Sequence, residues 1–598
     1  MPKNSKIILL SVVFLVFLVY FFTSAPGLGL IDSGELTTAA YTLGIAHPSG
    51  YPLYTLVGHL FSYFPCGDVA RRMVVFSVLC MAAACGFLLW TGAQLARRYF
   101  GLPLMQSSLC ACAGILTFAF SATTWHTAAY AEVYPLTLLL VSILYFLGFR
   151  LLDDGQREIR LWLAYAFAFG LALGNHLTVL WTFPLGVLAL FYGFRGRRDL
   201  FRNFSYVALA GILGASVVLF LPIRSHLNPS LNWGNPETPA LLWRHLSGWQ
   251  YQVWMFQRGI VERLGQYFGD LPAEFGWGGL GLILLGVFGL ARQGMRVLFA
   301  FLLVWLVGIL YNVNYDIPDI APYFMPAHAA LAILAVGGAA TLWKIIGSRA
   351  RMAQVLAVLC LAFPVMSNAV GHFNEANRAN DRFPMAFARE ILRTLPPKAL
   401  VLQSLWDIQS PAIYLQEVEG YRRDVILIDI NLMQRRWYVE QLWRHHPEVV
   451  ANCERERDSF LKELELFEAG QPYEAAGIER AFVAFHDSII SKNLAHRAVY
   501  LRFANESGHP GIGAGFQTQP EAFFYRLGGI HGEDELLDIE KIVGRRTRFD
   551  DRERFLLAKA LEILRQRRPL PDRVDTMSHQ MALLNSILHT KPGPHKGR

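Results

Sequence analysis

Leu30-Ile31-Asp32-Ser33-Gly34-Glu35-Leu36, followed by Gly44-Ile45-Ala46-His47-Pro48-Ser49-Gly50-Tyr51-Pro52-Leu53-Tyr54, is the stretch on which the reading of this chain turns. Two carboxylates and a histidine come directly after the first membrane-length apolar run, among glycines and prolines that forbid one continuous helix. Asp32 and Glu35 are three residues apart, so a helix starting near Ser33 points both towards one side of its first turn. The same spacing also makes a capping box, with Asp32 accepting from the amide of Glu35 and Glu35 reaching back. Local physics leaves cap and catalyst open.

Composition sets the class. Of 598 residues, 54% are hydrophobic and 17% charged, a balance foreign to ordinary soluble proteins. Apolar runs of bilayer length recur from the N-terminus to about residue 370, after which the sequence turns soluble in character. The net charge of +8 does not point to nucleic acid, because many of the positive charges lie where membrane topology places them. The seven cysteines (Cys66, Cys80, Cys85, Cys110, Cys112, Cys360, Cys453) lie mostly in apolar runs without metal-ligand spacing, and Cys110-x-Cys112 reads as packing.

Lys3 and Lys6 precede the run Ile7 to Phe22, a signal peptide or a retained anchor; Pro26 directly after Thr23-Ser24-Ala25 disfavours cleavage and favours retention. Residues 32–64 are too polar and too broken to span and read as a loop with two short amphipathic helices. Spans are predicted at about 73–95, 107–125, 128–149, 161–178, 179–194 and 205–223, with three or four more between 276 and 370. Arg97-Arg98, Arg150/Arg157/Arg160, Arg195/Arg197/Arg198/Arg202, Arg292/Arg296 and Lys344/Arg349/Arg351 fall on successive connections of one side, which is therefore read as cytoplasmic. Arg71-Arg72 is an exception. The opposite side receives the Asp32 stretch, Glu132 in Ala131-Glu132-Val133-Tyr134-Pro135, Asn175-His176, Arg224 and the cluster Tyr311 to Tyr323 with Asp316 and Asp319. Ionisable groups at such depths usually face a bundle interior or a wet cavity, so their accumulation predicts one shared extracytoplasmic cavity.

Residues 224–275 form the longest break, with Asn232-Trp233-Gly234-Asn235-Pro236 and then Trp243, Trp249, Tyr251, Trp254 and Phe256, a composition suited to an amphipathic helix in the interface. The chain therefore divides into a membrane domain over 1–372, with outer loops 23–72 and 224–275, and a soluble α/β domain over 373–598. In the latter, 399–402, 424–429 and 496–503 read as strands, and 376–394, 409–419, 435–446, 453–469 and 551–566 as helices. Neither a phosphate-cradling glycine loop nor a metal-spaced set of ligands is found there, and Arg545-Arg546 with Lys591, Lys596 and Arg598 read as a solvated face.

The motifs DSGE (32–35), GIAHPSGYPLY (44–54), AEVYPL (131–136), GNHLT (174–178), NWGNP (232–236) and NYDIPDIAPYFMP (314–326) together resemble a membrane family associated with protein O-mannosyltransferase-like enzymes. The resemblance covers roughly the first 330 residues and leaves the tail outside. It implies a polytopic glycosyltransferase of the GT-C fold, using a polyprenyl-phosphate sugar, mannose first, as donor, and an extracytoplasmic hydroxyl, first a protein Ser or Thr, as acceptor. In that setting Asp32 is the general base, with Glu35 or Glu132 orienting the acceptor or supporting Asp32. Arg224 and His176 meet the leaving phosphate, His47 serves either substrate, and Asn232, Trp233 and Tyr323 line the substrate site. Neither a metal nor a cofactor is implied. The partners are membrane lipid, a lipid-linked donor and a protein or glycan acceptor, and the expected setting is a bacterial inner membrane. The alternatives are a GT-C enzyme acting on lipid or glycan and a lipid-linked sugar transporter; against the transporter, there is no internal repeat and no matched pair of broken helices.

Overall fold

The computed structural model describes residues 3–153, 159–193, 198–347, 350–502, 509–528, 535–544, 546, 548–567 and 573–589. Arg157, Arg195, Arg197, Arg349, Arg545 and the basic end Lys591, Lys596 and Arg598 lie outside these residues, as does Phe503 of the third expected strand. Among the described residues seven helices are long and apolar enough to cross a membrane, or eight if one bent pair counts as a span. The protein is a polytopic helical membrane protein followed by an α/β region.

Several of the expected spans are present with shifted ends. The run expected at 107–125 is two helices, Leu104–Ala119 and Ala122–Ala128, bent by 72°, because Ser121 accepts from the amide of Thr124 and starts a new helix there. The span expected at 128–149 begins only at Tyr134, leaving Glu132 in the break. The regions 161–178 and 179–194 hold only short pieces, Ile159–Leu173, the 3-10 turn Leu177–Thr182 and Phe183–Gly193. The loop expected to run to residue 275 is helical from Ile260. It continues to Gln293, with non-helical backbone at Gly276 (φ 61°), a conformation glycine adopts without penalty. The exceptional pair Arg71-Arg72 is engaged with backbone: Arg71 donates to Ala25 O and Arg72 to Ser62 O. The first helix, Lys3–Thr23, is tied in by Tyr20 donating to Ala119 O and by Trp125 donating to Thr23 Oγ1.

The two short helices expected within 32–64 are Ser33–Thr42 and Pro52–Ser62. Beyond the helix Arg351–Ala376, the tail carries a five-stranded sheet in the order β2-β1-β3-β5-β4. β1 (Leu400–Gln403) is parallel to both β2 (Ile426–Asp429) and β3 (Val499–Leu501), with Leu400 level with Ile426 and Val499. These are the three apolar runs read as strands, buried on both faces. β4 (Thr518–Glu521) and β5 (Phe524–Leu527) form a hairpin without an apolar run; β4 is the outer strand at the sheet edge, where Pro520 is tolerated. The helix expected over 376–394 begins only at Phe383; Trp406–Glu417, Arg436–His445, Glu454–Glu468 and Asp551–Gln566 lie close to expectation, while Ala475–Asn493 and Val574–His589 are additional.

Candidate active site

The helix Ser33–Thr42 is almost wholly buried, and Asp32 stands at its start with no side-chain cap hydrogen bond. Both arms of the expected capping box are absent. Ser410 Oγ, from the tail helix Trp406–Glu417, accepts from the amide of Glu35 at 3.0 Å in place of Asp32. Glu35 turns the other way: its two oxygens accept from the backbone N–H and the ring Nδ1 of His47, each at 2.7 Å. The other ring nitrogen of His47 lies 2.8 Å from Tyr51 Oη and 3.8 Å from Asp32 Oδ2. Asp32 Oδ1 accepts from the indole N–H of Trp406 at 2.8 Å.

Exposure separates the two carboxylates that the sequence paired. The Asp32 side chain is 23% exposed, whereas that of Glu35 is fully enclosed with both oxygens taken by His47. Of the two, Asp32 alone is open to solvent. Burial opposes a charge on His47, but Glu35 and Asp32 outweigh it and push the imidazolium up to about 10. Burial raises Asp32 and Glu35 adds to it, while His47 and the Trp406 N–H work against the rise. Burial, with Asp32 and Asp319 nearby, holds the Glu132 carboxyl well above its usual range, which favours a neutral acid that can donate a hydrogen bond. Asp319 is raised by burial and by Asp32. Ligand-type atoms of Asp32, Glu35 and His47 lie within 4.8 Å of one another, a grouping that could hold a metal ion, and Glu35 already accepts from His47.

Three cavities adjoin this triad. One is lined by His176, Tyr251, Tyr315 and Tyr323 with Pro48. There Tyr51 stacks on His176 with ring centres 5.8 Å apart, and Tyr323 meets His176 edge-on at 5.0 Å. A second, between the membrane helices and the tail, holds Glu132, Asp319, Arg378 and Arg552. The third is framed by the loop 234–250 and the tail residues Arg435, Arg436 and Trp437. Trp233 joins the triad's wall, 5.9 Å from His47 and 5.4 Å from both Trp406 and Trp437.

Of the residues singled out in the sequence, Asp32, Glu35, His47, Glu132, His176, Trp233 and Tyr323 thus surround one centre. Two do not. Arg224 donates from Nε to Leu43 O at 2.6 Å and from Nη2 to Thr42 O at 3.0 Å, closing the end of the helix Ser33–Thr42 instead of facing a phosphate. Asn232 is tied to Ser225 and Asn235 and shapes a buried turn. Trp406, Asp407, Ser410 and Arg552 were missed, because nothing local in the tail signals a partner 374 residues away.

Fold and site together define a polytopic membrane protein whose carboxylate–imidazolium centre is covered by its α/β tail. The family model described as the protein O-mannosyl-transferase TMEM260 N-terminal domain matches residues 32–199, and TMEM260-associated domain 2 matches residues 384–452. The likeness to protein O-mannosyltransferases thus holds over both stretches, and the second corrects the expectation that the tail lies outside it. Protein O-mannosyl-transferase TMEM260 of Mus musculus is 29% identical over 449 residues, covering 70% of this chain and 62% of that protein. The Dictyostelium discoideum protein of the same name is 22% identical over 473 residues, covering 70% of this chain and 57% of its own length. The chain therefore spans about three fifths of the length of these curated relatives. Among solved structures, ArnT from Cupriavidus metallidurans in the apo state aligns with 88% of this chain and 97% of its own at 12% identity and a TM-score of 0.49.

Proposed function

We propose that this protein is a membrane glycosyltransferase of the GT-C type that moves a sugar, mannose first, from a polyprenyl-phosphate donor to a hydroxyl on the extracytoplasmic side. The acceptor is a protein Ser or Thr, and the setting a bacterial inner membrane. The observation that carries the reading is the partly open Asp32 carboxylate beside a cationic His47, whose hydrogen-bond partner Tyr51 stacks on His176 of an aromatic-lined cavity. The name of the Mus musculus relative, matched over 70% of this chain, supports the choice of reaction and acceptor.

The acceptor hydroxyl oxygen attacks the anomeric carbon, the bond from that carbon to the phosphate oxygen breaks, and the hydroxyl proton passes to Asp32. The lipid leaves as its phosphate. Asp32 serves as general base. Glu35 and His47 fix the loop behind it, and Glu132 orients the acceptor. The cavity of His176, Tyr251 and Tyr323 takes the sugar phosphate, with phenol hydroxyls donating to phosphate oxygens. The reading needs no resident cofactor, because the donor carries its own leaving group.

The test is purified protein in lipid with labelled polyprenyl-phosphate mannose and protein, lipid and glycan acceptors offered separately. Wild-type protein is expected to label protein and Asp32→Asn to leave it unlabelled. Transfer by Asp32→Asn at the wild-type rate overturns the assignment, and label on lipid or glycan alone overturns the acceptor.

A further inference from the structure

We infer that the tail helix Trp406–Glu417 is a working part of the catalytic centre, and that Trp406 is a positioning residue that fixes the Asp32 carboxylate through its indole N–H. This rests on the reading of Asp32 as the base. Three polar contacts from one end of that helix reach the first loop. Trp406 Nε1 donates to Asp32 Oδ1 at 2.8 Å, Asp407 Oδ1 accepts from the amide of Ile31 at 3.3 Å, and Ser410 Oγ accepts from the amide of Glu35 at 3.0 Å.

Each contact has a distinct consequence. A helix leaves its first amides unpartnered, and an aspartate at the N-cap normally supplies the acceptor. Here Ser410 supplies it from the tail, so the Asp32 carboxylate is released from capping and stays partly exposed. Ile31, a β-branched residue, has φ 61°, a conformation that must be held by its surroundings, and Asp407 is the group that holds its N–H. A carboxylate bound at one oxygen no longer turns freely, so Trp406 on Oδ1 leaves Oδ2 to take the acceptor proton. The indole itself is braced edge-on against Trp233 at 5.4 Å, and Trp233 in turn against His47. The remaining titratable and charged groups around Asp32 are His47, Glu35, Glu132, Asp319 and Arg552. Arg552 also approaches Asp407 at 3.6 Å, so the tail brings a cation to the same corner.

The experiment compares wild type, Asp32→Asn, Trp406→Phe and Ser410→Ala of the full chain by steady-state transfer and by infrared difference spectroscopy of the carboxylates. Trp406→Phe keeps the ring but loses the N–H. Its kcat is expected to fall roughly tenfold to a hundredfold while KM for donor and acceptor stays within about twofold. The carboxylate band that Asp32→Asn removes is expected to shift in Trp406→Phe, as it must when its hydrogen bond is lost. An unmoved band or an unchanged kcat in folded Trp406→Phe overturns the inference. Wild-type protein that transfers no sugar overturns the functional reading instead, and the band then still tests the contact. If Trp406→Phe does not fold, Ser410→Ala decides: a smaller fall in kcat with a shifted band supports the inference, and neither change overturns it.

Discussion

Glu35 grips His47 at two points, accepting from its backbone N–H and from its ring Nδ1, each at 2.7 Å. Twelve residues apart in sequence, the two close the loop between the helices Ser33–Thr42 and Pro52–Ser62 and fix the imidazolium beside Asp32. One acidic residue of the motif holds the cation, and the other stays partly exposed.

That division predicts that stability and activity separate between the two carboxylates. Glu35→Gln leaves a buried imidazolium without its main partner and is expected to cost about 3–5 kcal/mol. Asp32→Asn removes a partly open group with no capping bond and is expected to cost under about 1 kcal/mol while lowering transfer about 10²- to 10⁴-fold. Denaturation midpoints and transfer per folded molecule check both; equal stability losses would contradict the division.

His47 makes folding pH-dependent in a stated direction. Its proton is held up to about 10 in the folded protein. The free imidazole titrates near about 6.5, so the folded state binds the proton more tightly. The stabilisation is fully present below the unfolded pKa and is lost as pH rises from about 6.5 through about 10. Thermal unfolding across that window is expected to show a falling Tm in wild type and a flatter line in His47→Gln. Parallel lines would remove the imidazolium from the account.

Gly34 faces the tail helix so closely that an added Cβ would lie 2.3 Å from Ser410 O, a backbone atom with little room to yield. Gly34→Ala is expected to cost about 1–3 kcal/mol and to loosen the tail from the first loop. Limited proteolysis of the tail, faster in the variant, is the check.

Arg224 holds the carbonyls of Thr42 and Leu43, the latter at φ 55°. Arg224→Met is expected to lower stability by about 1–3 kcal/mol while leaving donor KM within about twofold. A large rise in donor KM with an unchanged Tm would return Arg224 to the phosphate.

Much of this protein is legible in its residues. Hydropathy gives the helical membrane class because long apolar runs can cross a bilayer only as helices with their backbone bonds satisfied within. The three inner strands are legible because burial on both faces demands unbroken apolar runs such as Leu400-Val401-Leu402. The hairpin Thr518–Leu527 is not, since the edge strand Thr518–Glu521 is mostly polar and the buried Phe524 and Leu527 of its partner strand are too few to form an apolar run.

Read from the residues alone, Asp32, Glu35, His47, Glu132 and His176 are polar groups in a chain whose environment penalises them, which marks them as candidates. Their roles were beyond the sequence. Asp-x-x-Glu supports a cap and a reactive carboxylate equally well within one helical turn. Only tertiary structure brings Ser410 across to take the cap, and Trp406 to take one oxygen of Asp32. The physical reason is range. Periodicity and spacing report neighbours within a turn or two, whereas these hydrogen bonds join residues 375 and 374 positions apart.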